Sequence, residues 1–112
     1  MVVEGSEFKN AVLMALKVAD NVVFSADEVD EGFYMIAEGD IEDVRIELDG
    51  YAGGEQARVM LSLEYLKEIA KVVDKDDAVR IAIGTDLPVR VSIESEFSTT
   101  ILYFIAPRIE VR

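Results

Sequence analysis

Apolar residues recur at helical spacing in two stretches of the chain and at alternate positions through most of the rest. In "SEFKNAVLMALKVAD", Phe8, Ala11, Val12, Ala15 and Ala19 fall on one side of a 3.6-residue repeat. That spacing predicts a helix with one buried stripe. Ser6 is the expected N-cap, and Glu7 lies in the first turn, where a negative charge suits the helix dipole. In "SLEYLKEIAKVVD", Tyr65, Leu66, Ile69, Val72 and Val73 form a second stripe, with Ser62 as the expected cap and Glu64 in the first turn.

The remaining segments read as strands. "DVRIELDG" sets Val44, Ile46 and Leu48 on one face, with Arg45 and Glu47 opposite. "AVRIAIG" does the same with Val79, Ile81 and Ile83, and "PVRVSIES" with Val89, Val91 and Ile93. "NVVFSAD", "GFYMIAEG" and "ARVMLSL" are shorter or less regular candidates, rich in β-branched and aromatic residues. "DEVDEG", "EGD", "DGYAGGEQ", "DKDD" and "GTDLP" punctuate them as turns.

The order is a short strand, a helix and several strands, then a strand, a helix and three strands. One pattern is written twice, with Glu7-Phe8 answering Glu64-Tyr65, Val12 answering Ile69 and Leu16 answering Val73. Short turns between successive strands predict largely antiparallel sheets. The expected fold is therefore α+β: an internal pseudo-repeat with two helices side by side on one face of antiparallel β-sheets.

Composition narrows the chemistry. The chain has 112 residues, of which 51% are apolar, enough for one domain with a real core. No apolar run approaches the roughly 20 residues of a membrane helix, and "MVVEGSEF" lacks the regions of a signal peptide. Neither cysteine nor histidine occurs. Thiol nucleophiles, histidine triads, disulfides and most zinc sites are thereby excluded. The net charge of −12 opposes nonspecific binding to nucleic acid.

Local motifs are mostly bland. "DEVDEG" with Glu38 partly fits a calcium loop, with Asp27 first, Gly32 as the glycine and Glu38 last. Position three, however, is Val29, and the flanks read as strands, so a solvated hairpin turn is expected. "GGEQ" lacks the spacing and the lysine of a phosphate loop. Charge distribution is more informative. Lys9 and Lys17 lie on the polar side of the first helix, and Lys67 and Lys71 at i,i+4 on that of the second; these are four of the five lysines. Such spacing fits either a solvated face laced with ion pairs to Glu64 and Glu68 or a local basic surface for an anion. Leu13 and Met14 interrupt that face and fit neither reading.

Several stretches resemble one family. "TDLPVRVSIE" followed by "ILYFIAPRIE" is similar to the C-terminal end of the sliding clamps of archaea and eukaryotes, the proliferating cell nuclear antigen (PCNA) family. "LSLEYLKEIAK" and "EFKNAVLMALKVADNVVFSA" resemble the helices of that clamp's C-terminal domain, and "GFYMIAEGDIEDVRIEL" the hairpin after the first. The likeness runs in order over nearly the whole chain, and archaeal members look nearest. Family subunits carry two such domains and a connecting loop, so residues 1–112 are expected to be a single C-terminal clamp domain. "DGYAGGEQARV" looks short for the family.

The resemblance implies a non-catalytic, cofactor-free processivity factor. Its ring encircles duplex DNA and tethers polymerases, a clamp loader, nucleases and ligases. The helices line the hole, so Lys9, Lys17, Lys67 and Lys71 would face phosphates. Leu13 stands where relatives often carry a basic residue. Pro88, Phe104, Ile105, Ala106 and Pro107 would line part of a pocket for client peptides with a glutamine-to-aromatic motif. The alternative for "ILYFI" is a core strand buried on both sides. Ring assembly would use two edge strands: Asp43, Val44, Arg45, Ile46, Glu47 and Leu48 toward a neighbouring subunit, and Thr100, Ile101, Leu102, Tyr103, Phe104 and Ile105 toward the N-terminal domain. The implied setting is the archaeal cytoplasm, or the nucleus in a eukaryote, with no membrane. The competing reading is a stand-alone peptide-binding adaptor that never encircles DNA.

Overall fold

The computed structural model describes residues 1–27, 32–48, 56–95 and 99–109. Its elements are β1 (Val2–Glu4), α1 (Gly5–Leu16), β2 (Asn21–Ala26), β3 (Phe33–Glu38) and β4 (Asp43–Glu47), then β5 (Ala57–Ser62), α2 (Leu63–Val72), β6 (Ala78–Ala82), β7 (Val89–Glu94) and β8 (Thr100–Ile105). The β-α-β-β-β unit is thus written twice, as the alternation of hydrophobic periods suggested. The two halves exchange their first strands: one sheet runs β1-β6-β7-β8 and the other β4-β3-β2-β5. Every pairing is antiparallel. Neither half completes a sheet without the other, so one core serves both.

The helices lie side by side and run in opposite directions. The first turn of α1 meets the loop after α2, where Gly5 N–H donates to the Asp77 carbonyl at 2.7 Å and Ser6 N–H to that of Lys75 at 3.1 Å. At the other end, Leu63 N–H opens α2 by donating to the Asp20 carbonyl at 2.9 Å. Ser62 stands at the N-cap of α2 as expected, whereas the expected cap of α1 is corrected. Helix α1 starts at Gly5 with Glu4, not Ser6, at its N-cap, and neither Glu4 nor Ser62 caps with its side chain. Main-chain carbonyls from the partner half satisfy orphan N–H groups that a side chain would otherwise serve. Asp77 is buried, and its carboxylate accepts the Asp74 N–H at 2.9 Å, which closes the "DKDD" turn.

The buried stripe of α1 is Gly5, Phe8, Ala11, Val12 and Ala15. That of α2 is Leu63, Leu66 and Ile69, continued by Val73. Tyr65, expected inside, is 61% exposed, and Val72 also faces out. The repeat is therefore in register when Phe8 answers Leu66, Ala11 answers Ile69 and Ala15 answers Val73, one residue later than the Glu7/Glu64 alignment suggested. The error arises because both helices carry glutamate in the first turn, one residue out of step. The strand faces follow the sequence reading: Val79, Ile81, Val89, Val91 and Ile93 are all buried. At the ends of "DEVDEG", Asp27 N–H donates to the Gly32 carbonyl at 2.9 Å, and Ala26 lies opposite Phe33 where β2 pairs with β3. Residues 28–31 of the calcium-loop reading and 49–55 of the shortened "DGYAGGEQ" region lie outside the described residues. Among the described residues, no helix is long and apolar enough to cross a membrane.

Candidate nucleic-acid and client-binding surfaces

Two surfaces gather the residues singled out in the sequence. The first is the outward side of the helix pair. Lys67 and Lys71 project from α2, both exposed. Lys71 Nζ lies 3.1 Å from Glu68 Oε1, with the two side chains 61% and 63% exposed. So solvated a pair contributes little and yields readily to a competing anion. Lys17 is exposed just beyond the end of α1. Lys9 differs. Its ammonium donates to the Val73 carbonyl at 2.9 Å, at the C-terminal end of α2. That contact joins the two helices and complements the negative end of the α2 dipole. Of the four lysines expected to face an anion, Lys9 is thus the half-buried one, with its ammonium already holding a main-chain partner. Leu13, Met14, Tyr65 and Val72 are exposed on the same helices. The face is therefore mixed, with a few cations on an apolar ground, rather than a basic stripe.

The second surface is the far end of the β7–β8 ladder. Val89 pairs with Ile105 and Arg90 with Phe104, so Pro88 and Ala106 flank the end of the ladder. Phe104 is 69% exposed, Pro88 and Ala106 are exposed, and Pro107 is half-buried. Ile105 is 6% exposed and belongs to the core. Its side chain holds the strand down, so of the residues expected in the pocket it is the one turned inward. The strip "ILYFI" is thus one-sided. Ile105 and Tyr103 pack inward, whereas Leu102 and Phe104 face out and Ile101 is partly open. A core strand buried on both sides is excluded.

The turn that presents Pro88 is specially built. Leu87 N–H donates to the Gly84 carbonyl at 3.1 Å, and Asp86 takes a positive φ of 57°. Aspartate tolerates that left-handed conformation better than most residues. The turn leans on β5: Asp86 N–H reaches the Arg58 carbonyl at 3.3 Å, and Arg58 N–H reaches Thr85 Oγ1 at 3.3 Å. Farther along β5, Arg108 N–H donates to the Met60 carbonyl at 2.8 Å. The turn and the segment after β8 are both pinned to one strand.

The same contacts cover the outer edge of β5. By contrast, β4 pairs only with β3 and β8 only with β7 among the described residues. Those are the two edges expected for assembly. Arg45 on β4 stacks 4.0 Å over the Tyr34 ring, which places a charge on the outer face beside that edge.

No family model matches the chain. Curated relatives do. A DNA polymerase sliding clamp from Archaeoglobus fulgidus is 40% identical over 116 residues, spanning 98% of this chain and 46% of the relative. One from Natronomonas pharaonis is 37% identical, with 98% and 47% covered. Among solved structures, A. fulgidus PCNA bound to the C-terminal region of FEN-1 superposes over 100% of this chain and 47% of its own, with TM-score 0.91 and 36% identity. The chain is homologous to one half of an archaeal sliding clamp. PCNA from Thermococcus kodakaraensis gives TM-score 0.81 at 28% identity, over 96% of this chain and 46% of that one. The chain spans about half the length of the clamp relatives it matches. The PCNA resemblance read from "LPVRVSIE" and "APRIE" thus stands, and so does the two-helix, antiparallel clamp fold. The individual roles of the lysines and of Phe104 come from motif position rather than from these likenesses.

Proposed function

We propose that residues 1–112 are one clamp domain of a ring that encircles duplex DNA and tethers replication and repair enzymes without catalysing a reaction. The observation that carries this reading is the superposition of the whole chain on half of a PCNA that was solved with the C-terminal region of FEN-1 bound. In this reading the helix pair faces the hole. Lys67, Lys71 and Lys17 give the DNA a weak, mobile contact, and the acidic body keeps the ring from gripping it. Phe104, Pro88, Ala106 and Pro107 form this domain's share of a pocket for client peptides. A polymerase, a clamp loader and nuclease or ligase tails are the expected clients. The β4 and β8 edges join a neighbouring subunit and a second clamp domain by strand pairing.

The test is a titration of a peptide bearing the glutamine-to-aromatic motif, run beside thermal melts. Phe104→Ala and Pro107→Ala should weaken peptide binding by about 2 kcal/mol, the scale of a buried hot-spot anchor. The melting temperature of Phe104→Ala should barely move, because that ring is already largely in solvent. Equal loss of fold and of binding would overturn the assignment.

A further inference from the structure

The outer face of the β7–β8 ladder holds a cation with no counter-ion among the described residues. Arg90 is directly opposite Phe104, and both are exposed. Residues opposite each other in an antiparallel pair bring their side chains within reach of the same ligand group. Ala82 lies on the other side of Arg90, and the next row of this face is Arg80, Ser92 and Leu102. None of these is an acid. Glu94, in the row after, is engaged by Arg80, with Arg80 Nε 2.7 Å from Glu94 Oε1. Arg90 has no ion pair, hydrogen bond or ring contact among the described residues. Arg108, four positions beyond Phe104, is a second exposed cation on the same segment. Two exposed arginines thus lie close to Phe104 in the ladder or along the chain, although the net charge is −12.

Resting on the client-docking reading above, we infer that Arg90 is a specificity residue. It selects client peptides that carry a carboxylate next to the aromatic anchor seated on Phe104. Apolar contact with Phe104 gives the affinity and does not distinguish among aromatic peptides. An unpaired guanidinium beside it favours an acidic flank and penalises a basic one. A guanidinium is suited to this because it presents several donors to a carboxylate in a fixed plane.

The experiment uses the full 112-residue chain, with binding read from amide shifts in NMR titrations. The probes are three peptides that share the glutamine-to-aromatic motif and differ only in the residue before the aromatics: Asp, Asn or Lys. At low salt the Asp peptide should bind about threefold tighter than the Asn peptide, the size of one exposed ion pair. The Lys peptide should bind more weakly than either. Arg90→Gln should abolish the preference, Arg90→Glu should reverse it, and Arg90→Lys should retain part of it, all with unchanged melting temperature. A preference that persists in Arg90→Gln overturns the inference and leaves the pocket intact. If Phe104→Ala changes none of the affinities, or no shifts centre on Phe104 at millimolar peptide, the pocket reading falls and this inference with it.

Discussion

The Lys9 ammonium donates to the main-chain carbonyl of Val73 at 2.9 Å, tying the first helix to the end of the second. The bond makes Lys9 a brace between the helices. Lys9→Ala should lower stability by about 1 kcal/mol, the worth of a partly buried charge at a helix C-terminus. Lys67→Ala should stay within about 0.5 kcal/mol of wild type, since Lys67 is exposed and makes no hydrogen bond or ion pair among the described residues. Urea melts of the two variants measure the difference directly. Equal effects would contradict the brace.

The same distinction governs DNA contact. In an assembled ring, each lost phosphate contact should reduce the salt slope of DNA association by roughly one unit. Lys67→Ala and Lys71→Ala should each do so. Lys9→Ala should change the slope much less, because its ammonium is already committed. A ring with Lys9, Lys17, Lys67 and Lys71 all changed to alanine but the wild-type salt dependence would remove the helix face from the DNA-binding account.

Gly5 yields a prediction opposite in sign to helix propensity. An alanine is normally about 1 kcal/mol better than glycine inside a helix. Here a Cβ would collide with the Asp74 carbonyl oxygen and sit 2.8 Å from Val73 Cγ1. Gly5→Ala should therefore destabilise, by about 1–3 kcal/mol, as overpacking does. A rise in melting temperature would show that the loop after α2 gives way easily.

Among the described residues, β4 and β8 each pair along one side only. The β4 edge carries Arg45 and Glu47, charges that discourage indiscriminate pairing. The β8 edge, "TILYFI", carries none. The isolated chain should therefore self-associate at high concentration through these strands, as an edge-to-edge dimer or head to tail. Light scattering across a concentration series follows the mass, and amide exchange locates the contact. A monomeric mass throughout, with fast exchange along both strands, would contradict this.

Much of this architecture was legible from periodicity. Alternation at Val79–Ile83 and Val89–Ile93 set the strand faces correctly, and two helical stripes gave the pseudo-repeat. The exchange of β1 and β5 between sheets was not legible, because three-residue β1 carries no pattern of its own. Ser62 was placed correctly at the N-cap of α2, but the N-cap of α1 was misread for a related reason. Ser6 has the right chemistry, but the partner half supplies carbonyls from Lys75 and Asp77, which no local rule reveals. At the candidate site, "APR" singled out the segment after β8, which Arg108 N–H pins to the Met60 carbonyl. Pattern alone could not separate exposed Phe104 from buried Ile105, since every residue of "ILYFI" is apolar. The bond from Lys9 to Val73 spans 64 positions and was equally out of reach.

The central claim is that this chain serves as half of a DNA-encircling subunit. A chimera that replaces the matching half of the A. fulgidus clamp with this chain tests it most directly. Loaded onto nicked circular DNA by its clamp loader, the chimera should stay on the circle through gel filtration at high salt, and leave once the circle is cut. A folded chimera that fails to form a ring, or elutes equally from circular and linear DNA, would contradict the account.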